Sequence, residues 1–387
     1  MSQIGFEKFI VPDEDEYEKI KTIEELSPED RESLEKAGII AEDKDKAGNF
    51  VQMDQSVVYN KSFIDGVEVL GIREALKKYD WLWDYYWKII PKEKDDYTKL
   101  SDELPTDGYF IRVHKGVTPP FPIQSCLYLK KDNAIQSVHS IIIVEEGAHV
   151  MINSGCTLSS LVKEGVHIGI SEFYVKKNAS LEFTMVHSWA DEFITRPRTA
   201  IEVEEGGRFV SNYISLGPVK SIESYPTAYL VGKGATAYFN SILYAPPNSL
   251  LDVGGRIVFN AEETRGEIIS RTVSGGGKVI ARGHLVGNAP KIKAHLECDG
   301  LILKEGGIIH AIPELEGRNP DVEMSHEAAV GKIAEEEIEY LMARGISREE
   351  AISLIIKGFL DTSSMNLPPR TQLEVNMALK QLEEKGF

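Results

Sequence analysis

Cysteine is scarce in this chain. Only three cysteines occur among 387 residues, at positions 126, 156 and 298. An odd and sparse set argues against a disulfide framework and favours a reducing compartment, so we expect a cytoplasmic protein. No CxxC pair and no zinc-type or ferredoxin-type spacing is present. A permanent cluster held by four cysteines of this one chain is therefore excluded.

Positive charge and long apolar runs are also in short supply. Lysine and arginine number 43 against 61 aspartates and glutamates, which gives a net charge of −18. A field of this sign repels nucleic acid and anionic lipid. No N-terminal apolar segment resembles a signal peptide, and no run approaches the roughly 18 apolar residues of a membrane span. We expect neither nucleic acid nor a membrane as a partner.

The motifs of nucleotide-binding and hydrolytic enzymes are missing. The sequence has no Walker A loop, no GxSxG and no Rossmann fingerprint between a strand and a helix. The glycines at Gly275–Gly277 lack a following helix and predict a turn. We therefore expect no enzyme, and any ATP hydrolysis belongs to a partner. A β-helical carbohydrate-active enzyme is an alternative, but it needs paired carboxylates in a groove, and the sequence does not offer such a set.

The chain divides into three parts. Residues 1–107 are predicted to be an N-terminal helical region, with amphipathic stretches at Glu14–Ile23, Pro28–Ala37 and Gly66–Ile90. The aromatic cluster near the end of the third stretch favours packing against a neighbouring domain. Residues 325–387 are predicted to be helical again. A capping box formed by Ser347 and Glu350 begins one of these helices, and another follows Pro369.

Residues 108–324 carry a repeat. The recurring unit is an apolar residue, two polar residues, a glycine or asparagine, a small residue, one further residue and a second apolar residue. The turn position falls at Gly147, Asn178, Gly206, Gly234, Gly276 and Gly306. The separations are 31, 28, 28, 42 and 30 residues, and a shortened copy at Val253–Arg256 lies in the long gap. Strand-and-turn repeats of this period are typical of a solenoid. We predict a mainly β protein, a parallel β-helix between helical ends, with an antiparallel sandwich as the alternative.

One set of side chains in the repeat region could bind metal. Cys298 lies near the end of the repeats, and His326 and Glu327 follow 28 and 29 residues later, about one coil on. Thiolate and imidazole are ligands that suit iron or zinc. From spacing alone, a buried structural role for Cys298 is equally open. Cys156 lies among small polar residues on a predicted strand, whereas Cys126 is predicted to be a packed strand residue.

These residues belong to longer segments that resemble the SufB/SufD family of iron–sulfur assembly proteins, SufB more than SufD. The resemblance runs from about Gly108 to Phe359. Its segments are Gly108–Thr118, Ile123–Lys130, Ile143–Thr157, Phe183–Ala190, Glu297–Lys304, Ser325–Ala334, Tyr340–Ile352 and Gly358–Phe359. Many ordered matches in one chain are highly specific, although the N-terminal part matches only loosely.

The resemblance implies a fold and a set of partners. Family members have a right-handed parallel β-helix between helical ends and pair through an edge of that helix. Their C-terminal helices dock the ABC-type ATPase SufC, so ATP enters only through that partner. A cysteine desulfurase system donates sulfur as persulfide. A transient cluster, expected to be [4Fe-4S], forms at the paired interface and passes to recipient apo-proteins.

Site roles also follow from the resemblance. Cys298 matches the interface cysteine that accepts sulfur and ligates iron, with His326 and Glu327 as neighbouring ligands. Cys156 matches the inner cysteine that receives persulfide first. Trp189 matches a residue of an internal sulfur path.

Two departures from the family pattern bear on pairing and on the sulfur path. His187 stands where SufB proteins commonly have glutamine. Ser325 resembles SufD, whereas Glu327 resembles SufB. We therefore expect a homodimer that places Cys298 of one subunit near His326 of the other. The alternatives are a heterodimer with a SufD-like paralogue and a SufD-like subunit that holds no cluster. The resemblance leaves open the cluster type, the sulfur and iron donors, flavin involvement and whether the ligands come from one or two subunits.

Overall fold

A computed structural model of the chain describes residues 5–40, 44–360, 372 and 376. Strands account for 49% and helices for 16% of the residues, and the strands form a β-solenoid of about eight turns. Ladders between successive coils are parallel, with residue-for-residue register. The predicted parallel β-helix is confirmed, and the antiparallel sandwich is wrong.

The described strands extend from the N-terminal end of the solenoid to its C-terminal end. In chain order they are β1 (Gly48–Met53), β2 (Ser56–Ser62), β3 (Val67–Gly71), β4 (Tyr109–Val113), β5 (Ile123–Leu129), β6 (Ala134–Val144), β7 (His149–Leu158), β8 (Glu164–Val175), β9 (Ser180–Ser188), β10 (Glu192–Val203), β11 (Arg208–Ser215), β12 (Ser221–Ser224), β13 (Thr227–Leu230), β14 (Thr236–Ala245), β15 (Leu250–Phe259), β16 (Arg265–Ser274), β17 (Lys278–Gly287), β18 (Ile292–Ile302), β19 (Ile308–Gly317) and β20 (Val322–Gly331). The helices are α1 (Pro28–Lys36), α2 (Ile72–Lys78), α3 (Asp96–Glu103), α4 (Glu335–Met342) and α5 (Arg348–Phe359), with 3₁₀ turns at Phe6–Lys8, Ile23–Glu25 and Asp80–Asp84.

Two sheets form the walls of the solenoid. The first sheet has the order β2-β1-β5-β7-β9-β11-β14-β16-β18-β20. The second sheet has the order β19-β17-β15-β12-β10-β8-β6-β4-β3. The strand β13 follows β12 in the same coil and, like β12, pairs with β10 on one side and β15 on the other. Alternate residues of each strand face the interior, where apolar side chains from both sheets form one continuous core.

Left-handed turn residues connect the strands. All six turn positions predicted from the repeat have positive φ, from 55° at Asn178 to 117° at Gly276. Glycine has no Cβ to clash in this conformation, and asparagine tolerates it better than most residues do. The repeat therefore identified correctly the residues that adopt the left-handed turn conformation.

The long gap in the repeat has a simple geometric cause. Gly234 follows β13 of the second sheet, whereas Gly276 follows β16 of the first sheet. The two glycines therefore lie at opposite edges of the solenoid. At the edge that holds Gly276, the preceding turn residue is Asn248, which has φ 65° and which the repeat did not include. It lies 14 residues after Gly234 and 28 before Gly276. The predicted copy at Val253–Arg256 is wrong, because those residues lie within β15.

The N-terminal part is less helical than predicted. The helix α1 is confirmed, and the Ser27 side chain caps it by accepting from the backbone N of Asp30. Residues 48–71, however, form three strands, and Glu14–Ile23 forms no helix. Every residue of β1 is buried, because β1 extends the first sheet beneath the N-terminal segment. The solenoid therefore begins well before the expected boundary at residue 108.

The aromatic cluster packs on the outer face of the second sheet, as predicted. Tyr86 stacks on His139 with ring centroids 4.1 Å apart. The buried Glu172 carboxylate accepts hydrogen bonds from the backbone N of Trp87 and Ile89, both at 2.7 Å. These contacts fasten the segment before α3 to the solenoid wall.

The C-terminal part begins later than predicted. The strand β20 extends to Gly331, so His326 and Glu327 lie on a strand rather than in a helical region. The capping box of Ser347 and Glu350 is present at the start of α5. Of the helix predicted after Pro369, only residues 372 and 376 are described, and both are helical. Among the described helices, none combines the length and apolar character that crossing a membrane requires.

Candidate functional site

Cys298 and His326 lie on neighbouring strands at the C-terminal end of the solenoid. Cys298 of β18 stands opposite Ala328 of β20, and Leu296 stands opposite His326. Opposed residues of a parallel ladder point to the same side, and residues two apart on a strand share a face. Cys298 and His326 therefore share the face directed to the interior. Cys298 is 2% exposed, whereas His326 is exposed because no further coil of the described residues covers it.

Glu327 lies on the other face. It stands opposite Glu297, on the outer surface of the first sheet. Throughout the part of the chain that the structure describes, no three His, Cys, Asp or Glu side chains are grouped closely enough to hold a metal ion. The structure thus brings Cys298 and His326 to one face and leaves Glu327 on the other.

In the part of the chain that the structure describes, no further coil covers the C-terminal end of the solenoid. The strands β19 and β20 form the last edges of the two sheets. Apolar residues of this coil that face inward are exposed, including Leu315 at 39% and Val330 at 44%. Unpaired strand edges beside an uncovered apolar surface can accept another β layer.

The charges around Cys298 oppose thiolate formation. Burial raises the pKa of the Cys298 thiol to about 11, and the carboxylates of Asp299 and Glu297 add to the increase. The thiol is therefore protonated at neutral pH until a cation or metal ion approaches it.

Cys156 lies inside the solenoid, in a pocket that holds both apolar and polar side chains. Its strand partners are Leu127 of β5 and His187 of β9. The Cys156 Sγ lies 3.6 Å from the Sδ of Met185. Burial raises the pKa of this thiol well above its ordinary value. Cys126, in contrast, packs with the N-terminal segment in a separate apolar cluster, as predicted.

Of the other residues of the expected sulfur path, His187 is the ladder partner of Cys156, and Trp189 packs against His187. The rings of His187 and Trp189 are 5.2 Å apart. A hydrogen bond of 2.9 Å joins His187 Nδ1 to the hydroxyl of Tyr213. Burial lowers the pKa of His187 well below its ordinary value, so the ring is neutral.

Sequence reasoning missed two members of this pocket. His167 stacks obliquely near Trp189, with centroids 5.5 Å apart, and its Nδ1 lies 2.9 Å from Gln136 Oε1. Tyr213 contacts His187. The signal that could have found them is position in the coil, since both are polar residues at interior-facing positions of a strand.

An internal cavity extends from this pocket toward Cys298. Near Cys156 it is lined by His167, Met185 and His187, and its far end is lined by Ser270. Ser270 is the ladder neighbour of Cys298 on β16. Five ladder steps separate β7 from β18, which at a spacing of about 4.8 Å amounts to about 24 Å. The two thiols therefore cannot touch, and the cavity occupies the space between them.

Comparison with known protein families gives one match. The family described as SUF system FeS cluster assembly, SufBD core domain, matches residues 127–359. This range holds the interior pocket, the C-terminal coil and, apart from Tyr109, the residues that line the cavity.

Several relatives align over nearly the whole chain, and each is named an iron-sulfur cluster assembly SufBD family protein. The protein of Archaeoglobus fulgidus is 53% identical over 354 residues, which is 92% of this chain and 95% of that protein. The protein of Methanothermobacter thermautotrophicus strain Delta H is 42% identical over 381 residues, 97% of this chain and 93% of that protein. The protein of Pyrococcus horikoshii is 32% identical over 377 residues, 96% of this chain and 84% of that protein.

Proposed function

Because this chain belongs to the SufBD family of iron–sulfur cluster assembly proteins, we propose that it is the scaffold on which a nascent cluster is built. The cluster is cargo, assembled from persulfide sulfur and iron and then passed to apo-proteins. We place its assembly at an interface between two copies of this chain.

One observation carries the proposal. Cys298 lies one strand from the open edge of the solenoid and shares a face with the exposed His326. Glu327 lies on the other face, so a single chain supplies an incomplete ligand set. A second copy placed against the same edge would add its own His326 and Glu327 and would cover the exposed apolar coil. Most soluble homo-oligomers are closed dimers of this kind.

The chemistry assigned to Cys298 has three steps. The thiolate attacks the outer sulfur of a donor persulfide, and the donor leaves as a thiolate. Iron then binds the persulfide-loaded site, and an external two-electron donor reduces the outer sulfur to sulfide. The Cys298 thiolate that this cleavage releases stays bound to iron, which keeps it deprotonated. A cysteine desulfurase system is the donor, and Cys156 with the internal cavity forms the route by which sulfur first enters.

The ATPase partner of this proposal docks on α4 and α5. These helices expose the apolar side chains of Tyr340, Met342 and Leu354. A SufC-like ABC ATPase bound there would supply ATP hydrolysis, which no motif of this chain provides. Opening and closing of the dimer interface would follow as a shift between two arrangements.

A second candidate function also has an observation in its favour. The pKa of Cys298, raised to about 11, disfavours metal binding by the isolated chain. A SufD-like subunit that docks the ATPase and holds no cluster would need no reactive thiol at this position.

Anaerobic co-expression with a SufC-like ATPase tests the assignment. Iron, acid-labile sulfide and visible absorption are measured for the wild type, for Cys298→Ala and for Cys126→Ala as the matched control. We expect a cluster in the wild type and in Cys126→Ala, and none in Cys298→Ala. Equal iron in all three proteins contradicts the role of Cys298. A wild type without iron, in a complex of correct mass, supports the SufD-like function.

A further inference from the structure

The wall of the solenoid is interrupted at one place. From β6 to β19, the other coils cross the second sheet with a single strand of 10 to 12 residues. In one coil the crossing is split into β12 and β13, with Tyr225 and Pro226 between them. Proline has no N–H to donate, so it cannot complete a ladder.

The internal cavity reaches this break. Ser224 and Pro226 line it, and so do Pro197 of β10 and Gly254 of β15, the strands on either side. On the side that faces the cavity, the wall here is made of small side chains and of prolines that lack N–H groups. It is therefore the part of the second sheet where a narrow molecule meets least obstruction.

An unpaired cation lies at the outer side of the break. The backbone N of Arg256 donates to the carbonyl of Pro226 at 2.9 Å. The Arg256 Nε is buried without a hydrogen-bond partner, and among the described residues the Arg256 side chain forms no ion pair. A buried donor left unsatisfied costs about 1–3 kcal/mol. Such a group is suited to a ligand that binds and leaves.

The other charges near the break are mostly paired. Arg198 binds Asp95 and Glu223, and Arg282 binds Asp252. Glu314 is the nearby carboxylate without an ion pair among the described residues, and it approaches Tyr225.

Lys94 is a second cation without an ion pair in the described part of the chain. Burial and the positive charges of Arg198 and Arg256 lower the pKa of Lys94, and only Asp95 opposes them. Among the described residues, Arg256 and Lys94 thus supply positive charge that no ion pair neutralises, in a protein of net charge −18.

We propose that the break at Tyr225–Pro226 is an entrance for a short polysulfide anion, held by Arg256 and delivered through the cavity to Cys156. This inference rests on the proposed function and adds inorganic polysulfide as a second source of sulfur beside the cysteine desulfurase system. In the transfer, the Cys156 thiolate bonds to a terminal sulfur and the adjacent S–S bond breaks. The shortened polysulfide leaves with the electron pair and takes up the Cys156 proton. No oxidant or reductant is consumed.

The charge is tested with inorganic polysulfide as the probe. Persulfide at each cysteine is quantified over time by mass spectrometry in the wild type, in Arg256→Gln and in Arg265→Gln, which removes an exposed arginine from the first sheet. Removing one charge near the path should slow labelling of Cys156 about fivefold at low salt. The loss should shrink at high salt. Oxidation of Cys156 by hydrogen peroxide, a neutral probe, should be unchanged.

The route is tested with two serines that both line the cavity. Ser224→Leu narrows the break, and Ser270→Leu narrows the end near Cys298. We expect Ser224→Leu to slow labelling of Cys156 by both probes and Ser270→Leu to leave it unchanged, with circular dichroism confirming the fold of each. The opposite pattern, or equal rates in Arg256→Gln and wild type, overturns the proposal. Labelling requires no iron and no cluster, so failure here is distinct from failure of the scaffold function.

Discussion

The reactivity of Cys298 is set by the charges beside it. Its strand neighbours Glu297 and Asp299 both carry carboxylates, and burial adds to their effect. Asp299→Asn removes one negative charge, so it should lower the pKa of the Cys298 thiol by up to about one unit from its value of about 11. The pH dependence of iodoacetamide alkylation, resolved by peptide, measures this pKa. Asp321→Asn is the control and should not change it.

A thiol that already titrates below pH 9 in the wild type would contradict this account. It would also remove the observation that favours the SufD-like alternative, because a reactive thiol needs no partner to become a ligand.

Glu172 anchors the aromatic segment through hydrogen bonds to backbone N–H groups and to His139 Nε2 at 2.9 Å. Glu172→Gln cannot accept all of these bonds and removes the charge that they stabilise. We expect the free energy of unfolding to fall by about 3 kcal/mol, measured by denaturant titration. The half-buried Glu202→Gln on β10 should change it by about 0.5 kcal/mol or less. A similar small change for Glu172→Gln would show that the anchor contributes little.

At the scale of the element, the turns are a sensitive test of the solenoid. Asn178 has φ 55°, a conformation in which a Cβ-bearing residue is strained. Asn178→Ala should lower the free energy of unfolding by about 1 kcal/mol, whereas Asn178→Gly should leave it equal or higher. Equilibrium unfolding of the pair measures the difference. Equal stability of the two variants would mean that this turn relaxes to another conformation.

The strand-and-turn repeat was visible in the sequence because glycine and asparagine mark left-handed positions. The register of the long gap was not, since Asn248 follows two prolines and does not fit the repeat unit. The N-terminal strands were missed for another reason. The strand β1 is buried on both faces, so its sequence shows no alternation that would distinguish it from a helix.

The repeat spacing also predicted part of the candidate site. A spacing of about one coil correctly put Cys298 and His326 at the same end of the solenoid. It could not show that Glu327 faces the other way, because residues 325–387 are predicted to be helical, whereas His326 and Glu327 lie on a strand, where adjacent residues point to opposite faces. The cavity and its histidines depend on contacts between distant coils, and a linear repeat does not display such contacts.

For the whole molecule, the open end determines the assembly that we expect. Val330 belongs to the face exposed there. Its side chain points to the interior side of the last coil and is 44% exposed. Covering apolar surface of this kind contributes about 25 cal/mol per Å². A second copy seated on the edge would bury it and would add ladder hydrogen bonds to the strand edges. The same contact would bring two Cys298 thiols and two His326 rings to one interface.

Val330→Asp should therefore separate the dimer. A buried, unpaired carboxylate at the interface is strongly unfavourable, so we expect light scattering to report the mass of one 43.2 kDa chain instead of two. Leu161→Asp, at a site 73% exposed on a turn between β7 and β8, is the control and should remain dimeric. If the dimer is where the cluster forms, Val330→Asp should also lose iron while keeping its circular dichroism spectrum. A monomeric wild type that still binds iron would place the ligands within one chain.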